Sequence, residues 1–168
     1  MIHLEQGDIT FFKGNAIVNA ANSSLMGGGG VDGAIHRSGG SLLLEQCKTW
    51  VRQNGELSPG KAMVTSGGNL KASWVIHTVG PVWKGGTQNE DFLLANCYLN
   101  SLQLAREKEI HSIAFPNIST GVYRFPKQDA AEVAVASVRN FLSSHQTGME
   151  VTFMCFDKEN YHIYQKLL

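Results

Sequence analysis

This chain is short of several things at once. Only 17% of its 168 residues are charged, and Lys+Arg and Asp+Glu are equal at 14 each. That balance argues against a broad electrostatic grip on nucleic acid or an acidic membrane, both of which call for a basic excess. Cysteine is scarce: Cys47, Cys97 and Cys155 lie far apart with no C-x-x-C spacing. Such dispersal suits reduced, buried thiols, and offers neither a disulfide framework nor a His/Cys cluster for a metal. No apolar run approaches the ~20 residues of a membrane span. The opening MIHLEQGDIT has no basic region leading into an apolar stretch, so no signal peptide is visible. The expectation is a cytoplasmic, monomeric globular protein, with residues 1–168 forming one domain around a single core.

Glycine, by contrast, is plentiful, and four glycines stand in a row within MGGGGVDGAIHRSGG at 26–40. Glycine loses more backbone freedom on folding than any other residue, so something must require that loop to be bare. Around it, short β-branched runs alternate with longer amphipathic ones. AIVNAA (16–21), KAMVTS (61–66), WVIHTV (74–79), SIAFPN (112–117) and VTFMCF (151–156) have strand length and composition. IHLEQGDIT at the start reads as a further strand at an edge. Segments 31–50, 90–109, 127–145 and 159–168 carry apolar residues at helical spacing; within the second, Phe92, Leu93, Ala95, Leu99, Leu102 and Ala105 read as the apolar face. Strand alternating with helix implies an α/β fold, a three-layer α/β/α sandwich around a mixed, largely parallel sheet of about six strands.

In such sheets ligands bind beyond the carboxyl ends of the strands. The glycine run follows one strand and leads into a helix, a setting that suits phosphate, although neither the P-loop nor the dinucleotide pattern fits. A second loop, PNISTGVYRFP (116–126), also follows a strand and offers Ser119, Thr120 and Gly121 for another side of a phosphate. Tyr123 and Phe125 bring aromatic surface, with Phe125 equally suited to the core. Asp8, in GDIT, is placed either to accept a hydrogen bond from an exocyclic amino group or to cap a helix.

GDIT, IVNAANSSLMGGGGVDGAIHRSGG, VIHTVGP and ISTGVYRFP occur in the order and spacing of a macrodomain, and the central stretch resembles the branch of ADP-ribosyl hydrolases and O-acetyl-ADP-ribose deacetylases. The resemblance covers essentially the whole chain. It implies ADP-ribose as ligand: Asp8 on the adenine amino group with Ile9 beside it, Phe156 stacked on the adenine, and Gly29, Gly30 and Val31 along the diphosphate and distal ribose. Ser119, Thr120, Gly121, Val122 and Tyr123 would close from the other side. Asn22 and Asp32 would flank the distal ribose, Asn22 holding its hydroxyls and Asp32 orienting or deprotonating a water. The implied activity is metal-independent hydrolysis, without a cofactor, of an ester at that ribose, in O-acetyl-ADP-ribose or in proteins mono-ADP-ribosylated on acidic side chains. The alternative is a reader that binds ADP-ribose without cleaving anything. His36, one helical turn after Asp32, and His77 read as structural. Arg124 departs from the family, where glycine is common; it either reaches over the cleft to pair with a phosphate or stands as a solvated loop cation.

Overall fold

The computed structural model describes residues 1–168. Six strands form one sheet: β1 (Ile2–Gln6), β2 (Ala16–Ala21), β3 (Ala62–Ser66), β4 (Trp74–Val79), β5 (Ser112–Phe115) and β6 (Glu150–Cys155). Their order is β1-β6-β5-β2-β4-β3, with β3 antiparallel to β4 and every other pairing parallel. The mixed six-strand sheet and the edge position of β1 agree with the sequence reading. β5 stops at Phe115, two residues early, because Pro116 has no N–H for a ladder.

The helices are α1 (Gly30–Gly39), α2 (Ser41–Asn54), α3 (Glu90–Glu107), α4 (Lys127–His145) and α5 (Lys158–Leu167). The sequence gives no sign that segment 31–50 is two helices. Gly40, at φ 82°, occupies a left-handed conformation that ends α1 and starts α2. The buried face of α3 also differs from the expected one. Leu94, Cys97, Tyr98, Ser101, Leu102 and Ala105 point inward, while Phe92 is 65% exposed. The observed set keeps a tighter i, i+3, i+4 progression, so packing chose the continuous stripe.

Strand alternation sorts the side chains into two layers. Val18, Ile76, Ile113, Phe115, Val151 and Phe153 meet α3, α4 and α5 in a core of 24 buried residues. Ile17, Val75, Val79 and Ala114 face α1 and α2 in a smaller one of 14. The thinner layer also takes Asn19 on β2, His77 on β4 and Thr65 on β3, all buried. Polar groups sealed there must find partners or cost about 1–3 kcal/mol each. No helix is long and apolar enough to cross a membrane.

Candidate functional site

The five parallel strands end on one rim, which gathers Asp8 after β1, Asn22 after β2, Gly80 after β4, the 116–126 loop after β5 and Phe156 after β6. Asp8 caps a 3-10 turn at Ile9–Phe11. Its Oδ1 accepts from both the Thr10 amide (2.9 Å) and the Thr10 hydroxyl (2.7 Å), leaving Oδ2 with no protein partner. The two roles considered for Asp8 are therefore compatible, one per oxygen. Ile9 is buried behind it, and the Phe156 ring is 78% exposed on the same rim.

The glycine loop is shaped by Asn22. Its Nδ2 donates to the Gly27 carbonyl at 2.9 Å, and its Oδ1 accepts from the Ser24 hydroxyl at 2.6 Å. One Nδ2 hydrogen remains for another acceptor. A Cβ added to Gly28 would sit 3.3 Å from both Asn22 Nδ2 and Asp32 Oδ2, so these two groups flank one glycine backbone. Gly33 lets α1 approach this loop, since any side chain there would collide with the Gly28 carbonyl. Gly29 caps α1 without a side chain to satisfy the first turn, whose amides have no intrahelical acceptors. A Cβ on Gly29 or Gly30 would meet nothing within 4 Å. Their bare side, next to Val31, faces open space.

Across the cleft, Ser119 holds φ 67°, and its buried Oγ has no partner. Phe125 N donates to Ser119 O (2.9 Å) and Arg124 N to Gly121 O (3.0 Å), closing the Ser119–Tyr123 segment into a tight loop. Gly121 and Val122 project from it, Val122 at 90% exposure, while Thr120 and Tyr123 are half-buried. Arg124 is exposed with φ 62°, a left-handed conformation that explains why glycine suits this position. Phe125 belongs to the core, its ring 4.8 Å from that of Trp83. Trp83 N also donates to Tyr123 O at 2.8 Å. Buried Glu90 holds the turn after Trp83 by accepting from the amides of Lys84, Gly86 and Gln88. Burial pushes that carboxyl up, but these amides outweigh it and keep it below the usual range.

Asp32 lies in the first turn of α1, only 5% exposed. Its Oδ1 accepts from Asn19 Nδ2 at 2.9 Å, and His36 Nε2 stands 3.5 Å from the same oxygen. Burial raises the carboxyl above its ordinary value, partly opposed by the Asn19 bond and by His36. Asn19 Nδ2 also lies 3.1 Å from His77 Nδ1, and His77 Nε2 lies 3.0 Å from Thr65 Oγ1, which donates to Ser66 O. Burial, with His36 nearby, lowers His77 to about 3 and so keeps it neutral. His77 is thus more than a packed core ring, and His36 is brought directly against Asp32.

Asn19 is the residue that sequence reasoning missed. Its signal was a lone amide inside AIVNAA, a strand otherwise composed for burial. The fold also assembles a group that the sequence concealed, with ligand atoms of His36, Cys47 and His77 all within 4.8 Å of one another. Both His77 nitrogens already have hydrogen-bond partners, and burial first, then Asp32, pushes the Cys47 thiol up to about 12. Metal binding would require that thiol to lose its proton. The donor set suits a hydrogen-bonded core rather than a metal centre.

The neutral His77 has a consequence for stability. Its folded pKa lies below the unfolded value of 6.5, so its contribution is complete above 6.5 and is lost as pH falls toward 3. Thermal unfolding followed across that window should show the midpoint declining with acid, and declining less in His77→Gln. Identical slopes would mean that His77 is protonated without strain in the folded state.

A sequence profile described as Macro domain matches residues 18–134. The chain is 57% identical over 167 residues to an O-acetyl-ADP-ribose deacetylase of Escherichia fergusonii, covering 99% of this chain and 94% of the relative. The Oceanobacillus iheyensis macrodomain with ADP superposes with a TM-score of 0.91 at 46% identity, covering 95% of this chain and 85% of that one. The Trypanosoma brucei macrodomain in complex with ADP-ribose does so with a TM-score of 0.91 at 40% identity, over 99% and 68%.

Proposed function

The chain belongs to the Macro domain family, and from that membership we propose that it hydrolyses an ester at the distal ribose of ADP-ribose. O-Acetyl-ADP-ribose is the small-molecule substrate, as the names of its relatives indicate, and proteins mono-ADP-ribosylated on acidic side chains present a related ester. The observation that carries this reading is the state of Asp32. One carboxylate oxygen is bound to the protein, while the other stands free beside Gly28 and the Asn22 amide, at the mouth of a bare loop.

The remaining residues support a pose in which adenine lies by Asp8 and Ile9, its amino group donating to Asp8 Oδ2 and its ring against Phe156. The diphosphate runs over Gly29, Gly30 and Val31 toward the first-turn amides of α1, where backbone N–H groups and the helix dipole favour negative charge. Ser119, Thr120, Gly121, Val122 and Tyr123 close over it. The distal ribose then reaches Gly28, with Asn22 on its hydroxyls and Asp32 beside the scissile ester. Water adds to the ester carbon and gives up a proton; the ribose oxygen leaves and takes one. Asp32 either accepts the proton or aligns a water that a substrate phosphate activates. Its raised pKa makes it a stronger base than an exposed aspartate while it remains ionised.

No step in this scheme uses a metal or a cofactor. We take the protein to act in the cytoplasm as a monomer, and its balanced charge argues against nucleic acid as the ligand.

Asp8→Ala should weaken ADP-ribose binding about tenfold or more, equivalent to one lost charge-assisted hydrogen bond. It should also narrow the preference for ADP-ribose over its guanine analogue and leave kcat nearly unchanged. Calorimetry with both nucleotides checks this, and unchanged discrimination would remove Asp8 from the adenine site. Loss of the cap should lower stability by about 1 kcal/mol.

A further inference from the structure

We propose that Asn19 and His77 are positioning residues that hold Asp32 in its working orientation through a one-way hydrogen-bond chain from β3 to α1. The inference rests on the reading of Asp32 given above. The direction of every bond in the chain follows from chemistry. Facing Asp32 with its carbonyl would set two acceptors against each other, so Asn19 must present Nδ2. That same Nδ2 is 3.1 Å from His77 Nδ1, which must therefore be the bare nitrogen. His77 consequently carries its proton on Nε2 and donates to Thr65 Oγ1. Thr65 has sent its own proton to the Ser66 carbonyl.

The chain is built into the sheet. Asn19 and His77 are register partners on β2 and β4, and β3 pairs with β4 to bring Thr65 alongside. Both Nδ2 hydrogens of Asn19 are thereby committed, and its Oδ1 is buried without a partner, so the amide acts here as a donor only. Its bond at 2.9 Å fixes Asp32 Oδ1 to the sheet. Without it the carboxylate is free to turn toward His36 Nε2, now 3.5 Å away, and draw Oδ2 out of the cleft. The titratable groups around Asp32 are His36 on its own helix, His77 on β4 and Cys47 on α2. His77 acts on Asp32 only through Asn19.

The test uses the whole chain with O-acetyl-ADP-ribose and the variants Asn19→Leu, His77→Leu, His77→Gln and Asp32→Ala, with Thr65→Val as a milder cut at the far end. Asn19→Leu and His77→Leu should lose about tenfold or more in kcat, with ADP-ribose affinity within about threefold of the parent. In Asn19→Leu the acid limb of the kcat profile should also move to higher pH, because a bond that lowers the Asp32 pKa has gone. His77→Gln offers an amide oxygen to Asn19 and an N–H to Thr65, and should restore most of the activity. Thr65→Val should show a smaller loss of the same kind, which keeps the test valid if a buried leucine prevents folding.

Parental kcat and an unmoved acid limb in folded Asn19→Leu, beside an inactive Asp32→Ala, would overturn the positioning role alone. An equal loss in His77→Gln and His77→Leu would also overturn it. Full turnover by Asp32→Ala would remove the catalytic role given to Asp32 and this inference with it, while loss of turnover in the parent itself would remove the hydrolytic reading.

Discussion

Asp32→Ala is expected to lower turnover of the ester by about 10²- to 10⁴-fold, the usual contribution of a positioned acid–base group. ADP-ribose affinity should remain within about threefold of the parent, because the diphosphate and adenine contacts are elsewhere. Single-turnover kinetics and calorimetry on both proteins separate the two quantities. Folding should survive the change. Removing the carboxyl leaves one Asn19 N–H unpartnered, at a cost of about 1–3 kcal/mol, but it also removes a charge whose burial is unfavourable. The folded pKa of Asp32 lies above its unfolded value of 3.8, so the carboxyl's contribution to stability is complete below 3.8. It is lost as pH rises through the folded value. The alanine variant should therefore be closest to the parent in stability at neutral and alkaline pH. Retention of full turnover would assign Asp32 a structural role only.

Gly29→Val is expected to separate folding from binding in the opposite sense. Gly29 has φ −93° and ψ −176°, extended backbone that any residue adopts, and a Cβ there meets no protein atom. The cost to stability is the weaker helix start, about 1 kcal/mol or less. The branched side chain nevertheless enters the space assigned to the diphosphate. ADP-ribose affinity should fall by about 100-fold or more, equivalent to roughly 3 kcal/mol, and turnover at fixed substrate should fall with it. The same change at Gly30 would be a poor test, because its φ of 57° adds strain of its own. Parental affinity in Gly29→Val would show that the ligand does not lie against this loop.

The fold and the site were legible in the sequence to different degrees. The strands could be read because each is a compact β-branched run, and the helices because apolar spacing persists over several turns. The break at Gly40 was hidden, since apolar periodicity continues through the double glycine and only the backbone sign reveals the turn. Asp8, the glycine run and the Ser119–Gly121 loop stood out because strand ends and loop chemistry are local features of sequence, whereas Asn22, Val31 and Phe156 entered only through the resemblance to macrodomains. What lies beneath Asp32 was not. Asn19, Thr65 and His77 come from three strands, and only pairing in the sheet brings them under α1. Sequence spacing says nothing about such a cluster, although a polar residue within an apolar strand marks where one is needed. The proximity of His36, Cys47 and His77 was concealed for the same reason.

The most direct test of the central claim is to incubate the purified protein with O-acetyl-ADP-ribose in the presence of a chelator, following ADP-ribose and acetate together. The account predicts repeated turnover, equal amounts of the two products, and no effect of the chelator. Saturable binding of ADP-ribose with no acetate released would contradict it and leave a protein that only reads the ligand.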